Sequence, residues 1–299
     1  STSNNFFYRK LYGDTAMIRV LRNAIIGIIL IISLILIALP TILTSFGLHP
    51  EYKEGAFVLN DKRALIIATN HGVLNKPNEA NGKATGLFLS ELSVPYFRFV
   101  ESGITVDIAS IKGGKIPLEP LPYFIKTNED KEFLKNNDLM SKLNNSVSIE
   151  DINFEEYDIV FLSGGWGAAY DLGFSDLLGE KISLAYYSEK KPIIGGICHG
   201  VLGFIKAKDR NNNLLIKGRK MTGVTDKQIK ELGIDITPQH PETELKKAGV
   251  IFQSQTKFKD AFANLTVVDD EKRFVTGQNQ NAGNETSYKI MQILSNRTN

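Results

Sequence analysis

The chain is poor in cysteine and histidine and carries no excess of either charge. One cysteine in 299 residues excludes an intramolecular disulfide, a CxxC zinc site and a thiolate-held iron–sulfur cluster, so Cys198 needs its own explanation. Four histidines, with no His or acidic cluster at ligand spacing, give no reason to expect a metal, and no cofactor is expected. Thirty-five Lys and Arg against 33 Asp and Glu leave a formal net charge of +2, without the basic field that nucleic-acid binding requires. Linker-like tracts, repeats and low-complexity segments are also missing, so nothing divides the long C-terminal part of the chain. What is there, 42% apolar residues and 25 glycines, is the composition of a globular protein with a sizeable core.

One segment departs from that composition. Between Ala24 and Phe46 there is no charge, and Ile25 to Leu39 is nearly all Ile and Leu, which is long enough to span a bilayer at about 1.5 Å per residue. Arg9, Lys10, Arg19 and Arg22 precede it, while Glu51, Lys53 and Glu54 follow, so the positive-inside rule keeps the N-terminus cytoplasmic. An uncleaved anchor is preferred over a secretory signal, because the run exceeds a normal signal core and no small-x-small cleavage site clearly follows. A core helix would want polar residues along one face, and only Ser33 interrupts the run. The division expected is a cytoplasmic tail at 1–23, a transmembrane helix at 24–46 and a domain at 51–299, on the far side of a cell membrane from the tail.

From about Glu51 onward short apolar runs alternate with longer amphipathic stretches, the α/β pattern of a parallel sheet covered by helices. Strands are expected at Ala64 to Thr69, Thr105 to Ala109, Tyr157 to Leu162, Pro192 to Ile197 and Arg273 to Thr276. Helices are expected at Gly86 to Ser102, from His199, and at the C-terminus. Continuous apolar runs suit strands buried on both faces. The polar stretch Asn137 to Asp151 reads as a surface excursion.

Gly196-Ile197-Cys198-His199-Gly200 is G-x-C-x-G between an apolar strand and a helix, a nucleophile elbow with sulfur in place of a serine oxygen. Such a turn lifts Cys198 above the C-terminal sheet edge and aims a helix N-terminus at it, both of which favour thiolate. Gly164-Gly165-Trp166-Gly167 is a second glycine turn at a strand end, and the N–H groups of Gly165 and His199 can hold a developing oxyanion between them. His71, after the first strand, sits where strands deliver residues to the same edge and is a candidate pocket residue.

These residues resemble the PfpI-type superfamily of class I glutamine-amidotransferase-like proteins, in particular its branch of glutathione-independent glyoxalase III enzymes and stress chaperones. The resemblance rests on Thr85-Gly86, Leu89-Ser90-Glu91, Pro95-Tyr96, Val106 to Ser110 with Gly113-Gly114, Leu162 to Leu172, GGICHG, Met221-Thr222-Gly223 and Val275 to Gly283. It implies a flavodoxin-like parallel sheet sandwiched by helices, here preceded by one transmembrane helix, and a homodimer. It implies that Glu91 bonds the cysteine and moves protons, and that His199 is the histidine beside the nucleophile. Asp226 and Glu231 are the candidates for the acidic third member of a triad, and neither has clean spacing. Trp166 stands where many relatives have histidine and would wall the site instead. His240, in His240-Pro241-Glu242, matches in kind the base and orienting pair of true glutamine amidotransferases, but it lies too soon after the cysteine; otherwise it starts a helix, with Glu242 in the first turn. The resemblance implies conversion of small dicarbonyls to hydroxy acids. The alternatives are amide or peptide hydrolysis through Cys198 with His199 or His240 as base, and a non-catalytic chaperone or redox sensor.

Overall fold

The computed structural model describes residues 2–52 and 55–298; Lys53 and Glu54, two of the flanking charges, lie outside the described residues. The chain forms two units, Ser1–Phe46 and Gly47–Asn299. The first is helix α1, Thr2–Phe46. From Met17 to Phe46 it is apolar enough to cross a membrane, and its long side chains, Ile25 through Ile37 among them, are exposed rather than packed in a core.

The second unit begins at Gly47 rather than at 51, because the intervening residues pack on the domain. Leu48 is buried, the His49 N–H donates to Asn281 Oδ1 at 2.8 Å, and its ring bonds the Ile125 carbonyl at 2.9 Å. The rings of Tyr52 and Phe57 lie 5.2 and 5.0 Å from that of Tyr288.

Seven strands form the main sheet: β1 Arg63–Ala68, β2 Thr105–Ser110, β3 Val147–Ser148, β4 Ile159–Leu162, β5 Ile193–Ile197, β6 Thr266–Val268 and β7 Phe274–Gly277. Their order is β6-β7-β5-β4-β1-β2-β3, parallel except for the β6–β7 pair. Along β1, Ala64, Ile66 and Ala68 face one apolar core while Leu65 and Ile67 face a second. This is why the strands read as continuous apolar runs rather than alternating ones. Helices α2 (Ser90–Glu101) and the C-terminal Gly283–Thr298 contribute to the first core. Leu178, Ile182 and Ala185 of the Asp176–Tyr187 helix fill the second. The result is a flavodoxin-like α/β sandwich. Sequence order reverses between β1 and β4, so the C-terminal ends of β1, β4 and β5 open onto the crevice where such sheets place ligands.

Three elements depart from the sequence expectation. The helix after β1 starts at Ser90 rather than Gly86, because Gly86 takes φ +151° and Leu87 is held extended. The Leu87 N–H donates to Pro117 O at 2.8 Å and the Glu119 N–H to Leu87 O at 3.0 Å. The helix expected from His199 is a 3-10 segment, Cys198–Phe204, pinned by glycines at which a Cβ would stand 2.3 Å from Leu162 O (Gly200) or 2.5 Å from Leu162 Cδ1 (Gly203). The expected excursion at 137–151 holds a helix, Asn137–Asn144, capped by the Asn136 side chain. That helix buries Leu139 and Leu143, and β3 then pairs with β2 through Ala109 and Ser110.

Candidate active site

At the end of β5 the chain turns so sharply that Cys198 adopts φ +57°, a left-handed conformation that a non-glycine residue holds only when its surroundings enforce it. The flanking glycines make room, since a Cβ on Gly196 would meet the Phe204 ring at 2.8 Å. The side chain of Cys198 is buried, with Sγ 3.4 Å from His199 Nδ1.

Glu91, in the first turn of α2, is also buried. Its Oε2 accepts the Gly164 N–H at 2.9 Å. A Cβ on Gly164 would lie 2.4 Å from that oxygen and 2.8 Å from the His199 N, so only glycine lets α2, the end of β4 and the elbow converge here. Its other oxygen, Oε1, is buried without a hydrogen-bond partner, and the Cys198 thiol is near enough to act on its titration.

The electrostatics differ from the thiolate expected of an elbow. Burial and then the negative charge of Glu91 push the Cys198 thiol up, and burial followed by the charge of Glu119 pushes Glu91 up. Only a short 3-10 segment follows the cysteine, so there is no long helix dipole to oppose these effects. Thiol and carboxyl compete for protons, and the pair resists becoming doubly charged. His199 is driven the other way, down to about 3, first by burial and then by His240, so its ring is neutral at ordinary pH.

Of the two expected oxyanion donors, the Gly165 N–H has no hydrogen-bond partner among the described residues, and the His199 N–H favours the Cys198 thiolate. Gly165, at φ +98°, lies so close to Gly86, Leu87 and Phe88 that a Cβ would meet Gly86 O at 2.3 Å. The next residue, Trp166, packs half-buried on the core that includes Cys198, and its N–H donates to Glu119 Oε1 at 2.5 Å.

Glu119 is the residue that sequence reasoning missed. It is buried, accepts the Thr85 hydroxyl at 3.3 Å, and is pushed up to about 8 by burial against the opposing Trp166 and Thr85 bonds. Pro117-Leu118-Glu119-Pro120 looks like an exposed turn, and only its long-range pairing with Leu87 turns the carboxyl inward.

None of the other candidates hydrogen-bonds the thiol or the His199 ring. Neither proposed triad acid bonds His199. Asp226 Oδ2 accepts the Thr243 hydroxyl at 2.8 Å, Glu231 accepts the Asp260 N–H at 2.9 Å, and His199 Nε2 is left without a partner. His240 stands at the start of the Pro241–Lys247 helix without a side-chain capping bond and acts on His199 electrostatically. Glu242 is engaged with the Asp226 N–H and Lys246, so the His-Pro-Glu residues do not form a base and its orienter. His71 stacks on Tyr170, ring centroids 4.0 Å apart, and bonds Val73 O and Asn75, so its contacts hold its own loop.

The DJ-1/PfpI family pattern matches residues 84–293. Glyoxalase 3 of Candida albicans is 30% identical over 244 residues, covering 77% of this chain and 97% of that protein. A probable glutathione-independent glyoxalase of Saccharomyces cerevisiae is 30% identical over 246 residues, covering 79% and 99%. Among solved structures, the Rapid Encystment Protein 24 KDa of Francisella tularensis superposes with a TM-score of 0.69 at 31% identity, covering 78% of this chain and 99% of that one. The crystal structure of glyoxalase III from Candida albicans gives 0.68 at 25% identity, covering 77% and 96%.

Proposed function

This chain belongs to the DJ-1/PfpI family, and from that premise we propose that it is a glutathione-independent glyoxalase III-like enzyme held at a membrane by its N-terminal helix. The observation that carries the reading is the convergence of Glu91, Cys198 and the Gly165 and His199 amides at one sheet edge. In this reading the Cys198 sulfur attacks the aldehyde carbon of a 2-oxoaldehyde. The new oxyanion lies between the Gly165 and His199 N–H groups and takes up the thiol's proton, giving a hemithioacetal. The Glu91 carboxylate then removes the proton from that carbon and returns it to the neighbouring one through an enediol, so the aldehyde carbon is oxidised and its neighbour reduced without an external oxidant. Water hydrolyses the resulting thioester, releasing a 2-hydroxy acid and the free thiol. Trp166, half-buried against the core that includes Cys198, would wall the site and narrow it to small substrates.

The relatives named as glyoxalases are matched over 97% and 99% of their own length, and the family pattern falls at residues 84–293, inside the Gly47–Asn299 unit, which supports assigning the chemistry to that unit. For α1 we propose an uncleaved anchor, its N-terminus cytoplasmic and the enzymatic unit on the opposite side of the cell membrane. The exposed apolar side chains of the uncharged run from Ala24 to Phe46 and Arg19 and Arg22 before it support this placement.

The test is D-lactate formation from methylglyoxal without glutathione by the wild type, Cys198→Ala and Glu91→Gln. Turnover by the wild type is expected to vanish in the first variant and to fall by about 100-fold or more in the second. Cys198→Ala retaining full turnover would sink the proposal. Turnover of amide substrates by the Glu91→Gln variant at the wild-type rate would favour hydrolysis.

A further inference from the structure

The turn from Gly164 to Gly167 carries four consecutive amides, and three of them are taken. The Gly164 N–H donates to Glu91 Oε2 at 2.9 Å, the Trp166 N–H to Glu119 Oε1 at 2.5 Å, and the Gly167 N–H to Gly86 O at 3.1 Å. Two carboxyl groups from different parts of the chain thus grip the amides on either side of Gly165, whose own N–H has no partner among the described residues. Glu91 serves the reaction as its base, whereas Glu119 has no place in that chemistry. Burying a carboxyl is costly even when it is hydrogen-bonded, so its position calls for a reason.

The local chain explains how Glu119 reaches the turn. It precedes Pro120, which confines it to extended backbone. Its N–H donates to Leu87 O at 3.0 Å while the Leu87 N–H donates to Pro117 O at 2.8 Å, and this pairing of Leu87 with Leu118 turns the carboxyl inward. There Oε1 also accepts the Thr85 hydroxyl at 3.3 Å. Residues 85–88 are the floor on which Gly165 rests, since a Cβ on Gly165 would stand 2.3 Å from Gly86 O and 2.4 Å from Phe88 N. One oxygen atom therefore ties the turn to its floor.

We propose that Glu119 is a positioning residue of the oxyanion site: by holding the Trp166 N–H it fixes the turn so that the Gly165 N–H is the donor left for the reacting oxygen. It acts through Trp166 and not on the reacting atoms, and the inference rests on the reading of Gly165 and His199 as oxyanion donors. The titratable groups that feel its charge are Glu91 of α2 and Cys198 of the elbow, and no cation among the described residues opposes it. When ionised, Glu119 resists the loss of a proton from both. Protonated, it keeps its grip on the turn without setting a negative charge beside a developing oxyanion.

The experiment uses the full chain in detergent and trifluoroacetone as the probe. The Cys198 sulfur adds to its carbonyl carbon and the thiol proton passes to solvent, leaving a hemithioketal whose oxyanion reads the donor site without any isomerisation. Fluorine NMR gives the affinity. Glu119→Leu, which removes the acceptor, is expected to bind the probe at least about tenfold more weakly, and Glu119→Gln, which keeps an oxygen for Trp166, to recover most of that loss. Equal affinity in the wild type and the leucine variant, or an equal loss in both variants, overturns the positioning. Alkylation of Cys198, the one thiol in the chain, by iodoacetamide is then followed against pH. Its rise should move to lower pH by about half a unit or more in Glu119→Gln. Superimposable profiles overturn the proposal, also where the leucine variant does not fold. D-Lactate formation by the wild type separates this inference from the reaction itself. A chain that traps the ketone in a Glu119-dependent way but forms no lactate overturns the glyoxalase reading and supports the oxyanion site. A chain that forms lactate with a probe affinity independent of Glu119 overturns the positioning alone.

Discussion

Replacing Glu119 by Gln should make the Gly47–Asn299 unit more stable than the wild type as the solution becomes alkaline. In the unfolded chain this carboxyl ionises around its ordinary value of 4.5, whereas in the folded protein burial raises it to about 8. Between those values the folded state holds one more proton than the unfolded state, so the contribution to stability is present at low pH and is lost as pH rises. About 3.5 pH units at about 1.4 kcal/mol each sets a ceiling of about 5 kcal/mol, and about 3.5 kcal/mol of it falls between pH 5 and pH 8. Glutamine keeps an oxygen for the Trp166 N–H and the Thr85 hydroxyl and cannot ionise, so it reproduces the protonated side chain at every pH. Urea unfolding of residues 47–299, the compact unit that contains the whole family pattern, measures the difference. Wild type and variant should agree to within about 1 kcal/mol near pH 5 and diverge by about 4 kcal/mol in favour of the variant by pH 8. Other titrating groups, Glu91 among them, are present in both proteins and largely cancel. Parallel stability curves over this range would refute the buried, protonated Glu119.

Gly200→Ala should cost about 1–3 kcal/mol and lower turnover with it, since its Cβ would stand 2.3 Å from Leu162 O and either β4 or the elbow must move; a variant with wild-type melting temperature and turnover would contradict the packing. Asp226→Asn and Glu231→Gln should each change kcat less than about threefold, because neither carboxylate bonds His199, and a loss of about 100-fold in either would restore it as the triad acid. Nitrogen-15 shifts of the His199 ring should remain those of neutral imidazole from pH 8 down to pH 5, given a value near 3; a titration near 6.5 would refute the neutral ring.

The elbow was legible because its residues must be what they are. Gly196 and Gly200 flank a cysteine at φ +57°, and any larger side chain at either position meets Phe204 or the β4 backbone. The strands were legible because both faces of the sheet are covered, so β1 and β4 show as unbroken apolar runs. The strand ends that converge on the thiol follow from that order of elements. Glu119 was hidden because its burial depends on the Leu87–Leu118 bridge and a bond from Trp166, contacts that local sequence does not encode. At 137–151 the polar residues that suggested a loop include Asn136-capped first-turn positions of a helix, and its two buried leucines, Leu139 and Leu143, are too sparse to announce an apolar face. The triad acids were chosen by distance along the chain, which does not encode that Asp226 accepts the Thr243 hydroxyl and Glu231 the Asp260 N–H.

The charge state of the site bears on which reaction it suits. Near neutral pH, Glu119 holds its proton, His199 is neutral, and burial discourages Glu91 and Cys198 from ionising together. A cysteine hydrolase that relies on a thiolate–imidazolium pair needs a histidine able to take and return a proton near pH 7, and a ring near 3 is a poor base for that task. An internal proton transfer in a dicarbonyl needs a carboxyl group that exchanges one proton with carbon, which Glu91, desolvated and raised, is suited to do. The substrate of that reaction is uncharged, so entry carries no electrostatic penalty. Its hydroxy-acid product bears a carboxylate, which must share a desolvated pocket with Glu91, and the repulsion between them favours release. In the proposed reaction the same burial that holds down the resting thiolate would thus favour release of the charged product, acting through Glu91 and not through Glu119, which holds its proton.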